Sequence, residues 1–179
     1  MKVDPSLIHR LFYPQVPLVM AAQYRGRVSA MPVVSYLSVS EEPPLVGVAC
    51  VPKGFTCGLA LKSRSFSLSV LDRSHADAVS RLAALSGATV KDKLTRVGLT
   101  HSPGTKARVP VLRDAAATVE CSLESSRRAG DHLMLIGRVE AAYASEAFTD
   151  SWDYARYEPM LYTGWEGGLT LFRAARRRT

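Results

Sequence analysis

The chain has 179 residues, the length of one ordinary domain and enough to bury a core without a disulfide or metal staple. Hydrophobic residues make up 47% and charged residues 22%, which excludes a disordered or fibrous chain. Lys and Arg number 23 against 16 acidic residues, for a formal charge of +7, but Arg173, Arg176, Arg177 and Arg178 crowd the last seven residues. The rest carries only about +3, so the basic end reads as a solvated tail rather than a nucleic-acid footprint.

The three cysteines, Cys50, Cys57 and Cys121, form no C-x-x-C motif, and His9, His75, His101 and His132 are dispersed. No metal site is expected from that spacing. No apolar run approaches the roughly 18 residues of a membrane span. The N-terminus carries Asp4 and Pro5 instead of a signal pattern, so the expected location is cytoplasmic. Asn is absent and Gln occurs only at 15 and 23, usage that suits a hot-living source or a high-GC genome.

In chain order, Asp4 and Pro5 predict a short capped helix over 5–12, ended by Pro14 and Pro17. Residues 17–34 read as a β-hairpin turning at Arg25-Gly26, followed by strands at 36–40 and 45–51 that flank the breaker Glu41-Glu42-Pro43-Pro44. Thr56 is the expected N-cap of a helix over 57–63. A half-buried strand at 66–71, a helix at 75–85 closed by Gly87 and a helical turn at 92–97 come next. Residues 100–110 read as loop. Two long strands follow at 116–123 and 132–143, then a polar and aromatic stretch, then short strands at 161–163 and 169–172. Many antiparallel strands with a few helices predict a barrel or sandwich in one domain spanning 1–179.

Common nucleophile and phosphate motifs are missing: there is no G-x-S-x-G, Walker loop, G-x-G-x-x-G or H-E-x-x-H. Three local features remain. Lys53-Gly54-Phe55-Thr56 joins a strand to a helix, where backbone N–H groups, a dipole, a cation and a hydroxyl suit a phosphate. Lys53 as a solvated turn residue and Thr56 as a plain cap is the competing explanation. Ser35 through Ser40 form a hydroxyl-rich strand end able to read a heteroaromatic ring edge, or a simple polar-out alternation. Gly130-Asp131-His132 starts a long strand and sets a His where it can meet a ligand, or merely a surface turn. Cys50 and Cys57 suggest redox chemistry, against which Cys50, inside an apolar strand, reads as a small core residue.

These pieces stand in an order that resembles the flavin reductase-like, FMN-binding split-barrel family, nearest its archaeal ferric reductase and flavoredoxin-like branch. The residues that carry the resemblance are 31–40 (MPVVSYLSVS), Pro43-Pro44-Leu45-Val46, Lys53, Thr56 and Phe66-Ser67-Leu68-Ser69-Val70. Glu120-Cys121, Gly130-Asp131-His132, Ile136-Gly137-Arg138-Val139 and Pro159-Met160-Leu161-Tyr162 extend it over roughly 10–173. Val34 and Ser69 stand where relatives often carry Asn, and Leu37 where they often carry Thr.

The resemblance implies a mainly β, six-stranded antiparallel Greek-key split barrel and a homodimer with FMN near the interface. It implies that Met31, Pro32, Val33, Val34, Ser35, Ser38, Ala49 and Cys50 line the ring and ribityl parts. Lys53 and Thr56 meet the phosphate, and His132 lies near the nicotinamide or the flavin edge as the candidate catalytic residue. NADH or NADPH supplies hydride, and a flavin, a ferric chelate or a partner protein accepts electrons. The alternative is an FMN-binding electron carrier or flavin store without its own nicotinamide site. A nucleic-acid-binding barrel using the Arg-rich tail is the third reading, disfavoured because aromatics do not interleave with the basic run. Neither nucleic acid nor membrane is expected as a partner.

Overall fold

A computed structural model of the chain describes residues 2–166 and 169–174, the last of these, from 165 on, as backbone only. Residues 175–179, with Arg176, Arg177 and Arg178 of the basic tail, lie outside the described residues.

The chain opens with a 3-10 helix over Pro5–Phe12, started by Asp4, whose carboxylate accepts from the Ser6 amide at 2.9 Å. Strands β1 (Leu18–Tyr24) and β2 (Arg27–Val33) form the expected hairpin. Its turn holds Arg25 at φ 48° and Gly26 at φ 74°, the paired positive values a tight two-residue connection requires. Strands β3 (Tyr36–Ser40) and β4 (Leu45–Cys50) follow, then helix α1 (Phe55–Ser63) and strand β5 (Ser65–Val70). Helices α2 (Ala76–Ala84) and α3 (Lys93–Val97) precede a small ribbon, β6 (His101–Pro103) with β7 (Pro110–Leu112). The 100–110 segment is loop over 104–109, but its ends, His101–Pro103 and Pro110, pair as strands where the Pro and Gly content suggested only loop. The long hairpin β8 (Ala117–Ala129) and β9 (His132–Ala144) and the pair β10 (Met160–Glu166) and β11 (Leu169–Ala174) complete the fold.

Seven strands form one antiparallel sheet in the order β2-β1-β5-β8-β9-β4-β3. The resemblance implied six; β3, a short strand pairing only with β4 through a bulge at Ser38–Ser40, is the seventh, at the sheet's edge. Strand β1 is buried on both faces, which explains its unbroken apolar run. Met20 and Ala22 join an inner core with Val48, Phe66, Leu68, Cys121, Leu123 and Leu135, closed by Cys57, Leu59 and Ala60 of α1. Val19 and Ala21 face a second core with Val79, Leu82, Leu94, Leu99 and Met160 under α2 and α3. Phe66 is fully buried in the inner core. Its truncation to Ala would cost about 3–5 kcal/mol, so the barrel is a stiff frame for the strand ends around it.

Candidate functional site

Strand pairing gathers the expected residues at one end of the sheet. Tyr36 pairs with Val48 and Cys50 with Leu133, so the 34–35 link, the end of β4 and the start of β9 adjoin. The Ala49 amide donates to the Ser35 carbonyl at 2.8 Å and fixes that link. Around it lies a cleft of about 290 Å³ lined by His9, Phe12, Tyr13, Gln15, Val34, Ser35, Tyr36, Leu37, Ala49 and Met134. Three expected flavin-lining residues, Val34, Ser35 and Ala49, thus share one cleft.

Other expected residues are distributed differently. Val33 and Cys50 are buried in the inner core and are not among the cleft's lining residues. Met31 and Pro32 are half-buried. Ser38 lines a separate apolar cavity of about 440 Å³ with Tyr36, Leu37, Leu68, Trp152 and Tyr157. Tyr36 borders both spaces, and its hydroxyl donates to the Val16 carbonyl at 2.7 Å. Burial raises the Tyr36 phenol and pushes Tyr157 up to about 12, so both rings remain neutral donors at ordinary pH.

The start of α1 is the electropositive part. Its N-cap is Gly54, not Thr56 as the sequence suggested, and no side chain caps the helix. Thr56 instead sits inside the first turn, where its hydroxyl hydrogen-bonds Ser29 at 2.9 Å in a buried setting. A cap needs an extended residue before the first turn, and Gly54, at ψ 130°, takes that place one step after Lys53. The first turn holds no acidic residue, so uncapped amides and the dipole present a positive end beside the exposed Lys53. Arg27 adds a second cation: its guanidinium lies 5.0 Å over the Phe55 ring and donates to the Gly87 carbonyl at 2.9 Å. Its Nε is buried without a hydrogen-bond partner. Gly87 is required there, since a Cβ would come within 2.4 Å of the Ser29 hydroxyl and 2.6 Å of the Phe55 ring.

His132 stands at the start of β9, at the same end of the sheet, with Nδ1 2.8 Å from the Asp131 carboxylate. That contact orients the ring and leaves Nε2 as its other polar atom, while its hydrogen bond and charge hold Asp131 below the usual carboxylate range. Met134, opposite Ala49 in the register, and Tyr13 were not legible as site residues. Their positions depend on long-range pairing, Tyr13 resting edge-on against Tyr162 at 4.7 Å. Arg27 carried a weak signal, a second Arg beside the hairpin turn. Among the described residues no group of three or more His, Cys, Asp or Glu gathers as metal ligands, and no helix is long and apolar enough to cross a membrane.

A large antiparallel sheet with a strand-end cleft and an uncapped helix start places the chain among the split-barrel proteins. The model of the flavin reductase like domain matches residues 9–165, and the chain belongs to the flavin reductase-like family. A protein of Aeropyrum pernix, described only as uncharacterized, is 30% identical over 164 residues. That match covers 91% of this chain, which spans 62% of the length of that relative. The NADH-dependent flavin reductase StyB of Pseudomonas fluorescens is 31% identical, covering 76% of this chain and 75% of that protein. Among solved structures, an FMN-binding protein from Thermus thermophilus with bound p-hydroxybenzaldehyde superposes with a TM-score of 0.79 at 33% identity, covering 100% of this chain and 96% of that one. Flavoredoxin from Methanosarcina acetivorans, at 17% identity, shares the fold with a TM-score of 0.83, covering 100% and 92%.

Proposed function

We propose that the chain is an FMN-dependent NAD(P)H oxidoreductase that reduces a flavin or a ferric complex. The observation that carries this reading is the uncapped, acid-free start of α1, with Lys53 beside it, at the end of the sheet that holds the Val34–Ser35–Ala49 cleft. The donor set fits a phosphate: backbone amides, the helix dipole and cations, with no acidic residue in the first turn. When bound, FMN supplies the hydride-accepting and electron-passing chemistry. The backbone around Met31, Pro32, Val33 and Cys50 and the side chains of Val34, Ser35 and Ala49 hold the ring. Ser38 faces the neighbouring apolar space. Lys53 and the first turn containing Thr56 would hold the phosphate, Arg27 strengthens the local positive field, and His132, oriented by Asp131, stands at the flavin edge as the candidate catalytic residue.

The relatives support the activity and cofactor: one is named an NADH-dependent flavin reductase, and a solved neighbour an FMN-binding protein. A homodimer is part of the proposal. Its support is the edge strand β3, which exposes Leu37 and Val39. The chain is expected to work in the cytoplasm without nucleic acid or membrane.

Anaerobic titration tests the reading. Purified protein should bind FMN, and NADH or NADPH should then bleach the flavin rapidly. FMN binding without rapid reduction would transfer the assignment to an electron carrier or flavin store. Failure to bind FMN at all would remove both.

A further inference from the structure

Cys50, the last residue of β4, and Cys57, in the first turn of α1, place their sulfurs 2.7 Å apart inside the inner core. The two residues bracket the loop 51–54 and the first two residues of α1. A disulfide bond is about 2.05 Å long, so joining these sulfurs requires less than about 1 Å of approach. Cys121, on β8, is buried in the same core, and burial pushes its thiol up to about 12. Ordinary core filling would be served by any small apolar side chain; here two thiols point at each other across the base of a loop.

We propose that Cys50 and Cys57 form a redox-reversible disulfide that clamps the loop 51–54 between β4 and α1. The Cys50 thiol donates its hydrogen bond to Cys57, which holds Cys57 below the usual thiol range and Cys50 above it. The start of α1 favours a thiolate at Cys57 in the same direction. Cys57 is therefore the attacking sulfur and Cys50 the resolving one.

With hydrogen peroxide as oxidant, the Cys57 thiolate attacks one peroxide oxygen. An S–O bond forms, the O–O bond breaks and hydroxide leaves, giving a sulfenic acid. The Cys50 thiol then displaces that oxygen, forming the S–S bond and releasing water with the Cys50 proton. In total, two thiols and one hydrogen peroxide give one disulfide and two waters. A dithiol reductant reverses the bond by exchange. The clamp would hold the start of α1 against β4 and reduce opening of the loop.

The test uses the intact chain without flavin, so its outcome is independent of the cofactor assignment. One sample is reduced, folded and exposed to hydrogen peroxide. A second is reduced, unfolded and refolded in a glutathione redox buffer. Thiols are then counted after denaturation, and the linked peptides are mapped. The count should fall from three to one in at least one arm, with Cys50 joined to Cys57, and return to three with dithiothreitol. The Cys121→Ser variant should still lose two thiols, and Cys57→Ala none. Amide exchange at 55–58 should be slower in the oxidised form. Three thiols retained in both arms, a bond that includes Cys121, or unchanged exchange at 55–58 would overturn the proposal.

Discussion

Two parts of the molecule present clustered backbone N–H groups to negative charge, and they treat it differently. In the 104–107 loop the amides of Thr105 and Ala107 each donate to the Glu120 carboxylate at 2.8 Å, and that of Lys106 at 3.1 Å. The Tyr143 hydroxyl adds a bond at 2.5 Å, and Glu120 is fully buried. At the start of α1 the amides have no such internal anion: Gly54 supplies no side chain and the first turn no acid. The protein provides its own carboxylate where it needs rigidity. At the start of α1 the positive field meets no acid of the first turn, and the proposed phosphate site rests on that difference.

The largest expected effect breaks the internal half of this pair. Glu120→Ala strands three amides and leaves the Tyr143 hydroxyl only its Thr105 partner, and should lower the unfolding free energy by about 3 kcal/mol in denaturant titration. Burial raises the Glu120 carboxyl, but hydrogen bonds from Tyr143 and the 105–107 amides outweigh it and hold the group below its ordinary value. Its folded pKa is depressed, so its contribution is present above the unfolded value near pH 4.3 and is lost as pH falls through the folded one. The acid limb of the stability curve should flatten in Glu120→Gln.

The ligand half comes next. Lys53→Ala should weaken FMN binding by about 1.5–3 kcal/mol, as for a hydrogen bond to a charged group, while leaving stability unchanged. Unaltered affinity in a fluorescence titration would remove Lys53 from the site. Thr56→Val should cost about 1–2 kcal/mol of stability, because the buried Ser29 hydroxyl loses its partner. A null result there would mean that water replaces the bond.

The smallest effect concerns a cation outside the pair. Burial lowers the Lys93 ammonium from its ordinary 10.5 to about 8. A base depressed in the folded state burdens the fold at neutral pH, and the burden lifts as pH rises from about 8 toward 10.5. Lys93→Met should therefore raise Tm at pH 7, with the gain shrinking across that window.

Much of this was legible in the sequence where local chemistry decides. Asp4 before Pro5, Arg25-Gly26 and the β1 apolar run led to the right elements because caps, turns and burial act over a few residues. Lys53 and Gly54 were recognisable as a helix start, although the capping position fell two residues before Thr56. What failed depends on partners far along the chain. Strands β6 and β7 are three residues each and exist because they pair with each other. Met134 enters the cleft through its register with Ala49, Arg27 reaches Phe55 and Gly87, and Glu120 reads as a strand residue until the 105–107 loop folds onto it. The Cys50–Cys57 contact likewise spans a strand end and a helix start, so the redox reading of the two cysteines had no geometry behind it in the sequence and Cys50 read as core.

The most direct test of the central claim compares FMN with riboflavin, which differ only in the phosphate, in one equilibrium titration of the purified chain. If the start of α1 holds that phosphate, FMN should bind about 100-fold more tightly, the equivalent of about 2.7 kcal/mol. The advantage should fall in Lys53→Ala. Equal affinity for the two flavins would contradict the account, because the positive end of α1 would then have no part in binding.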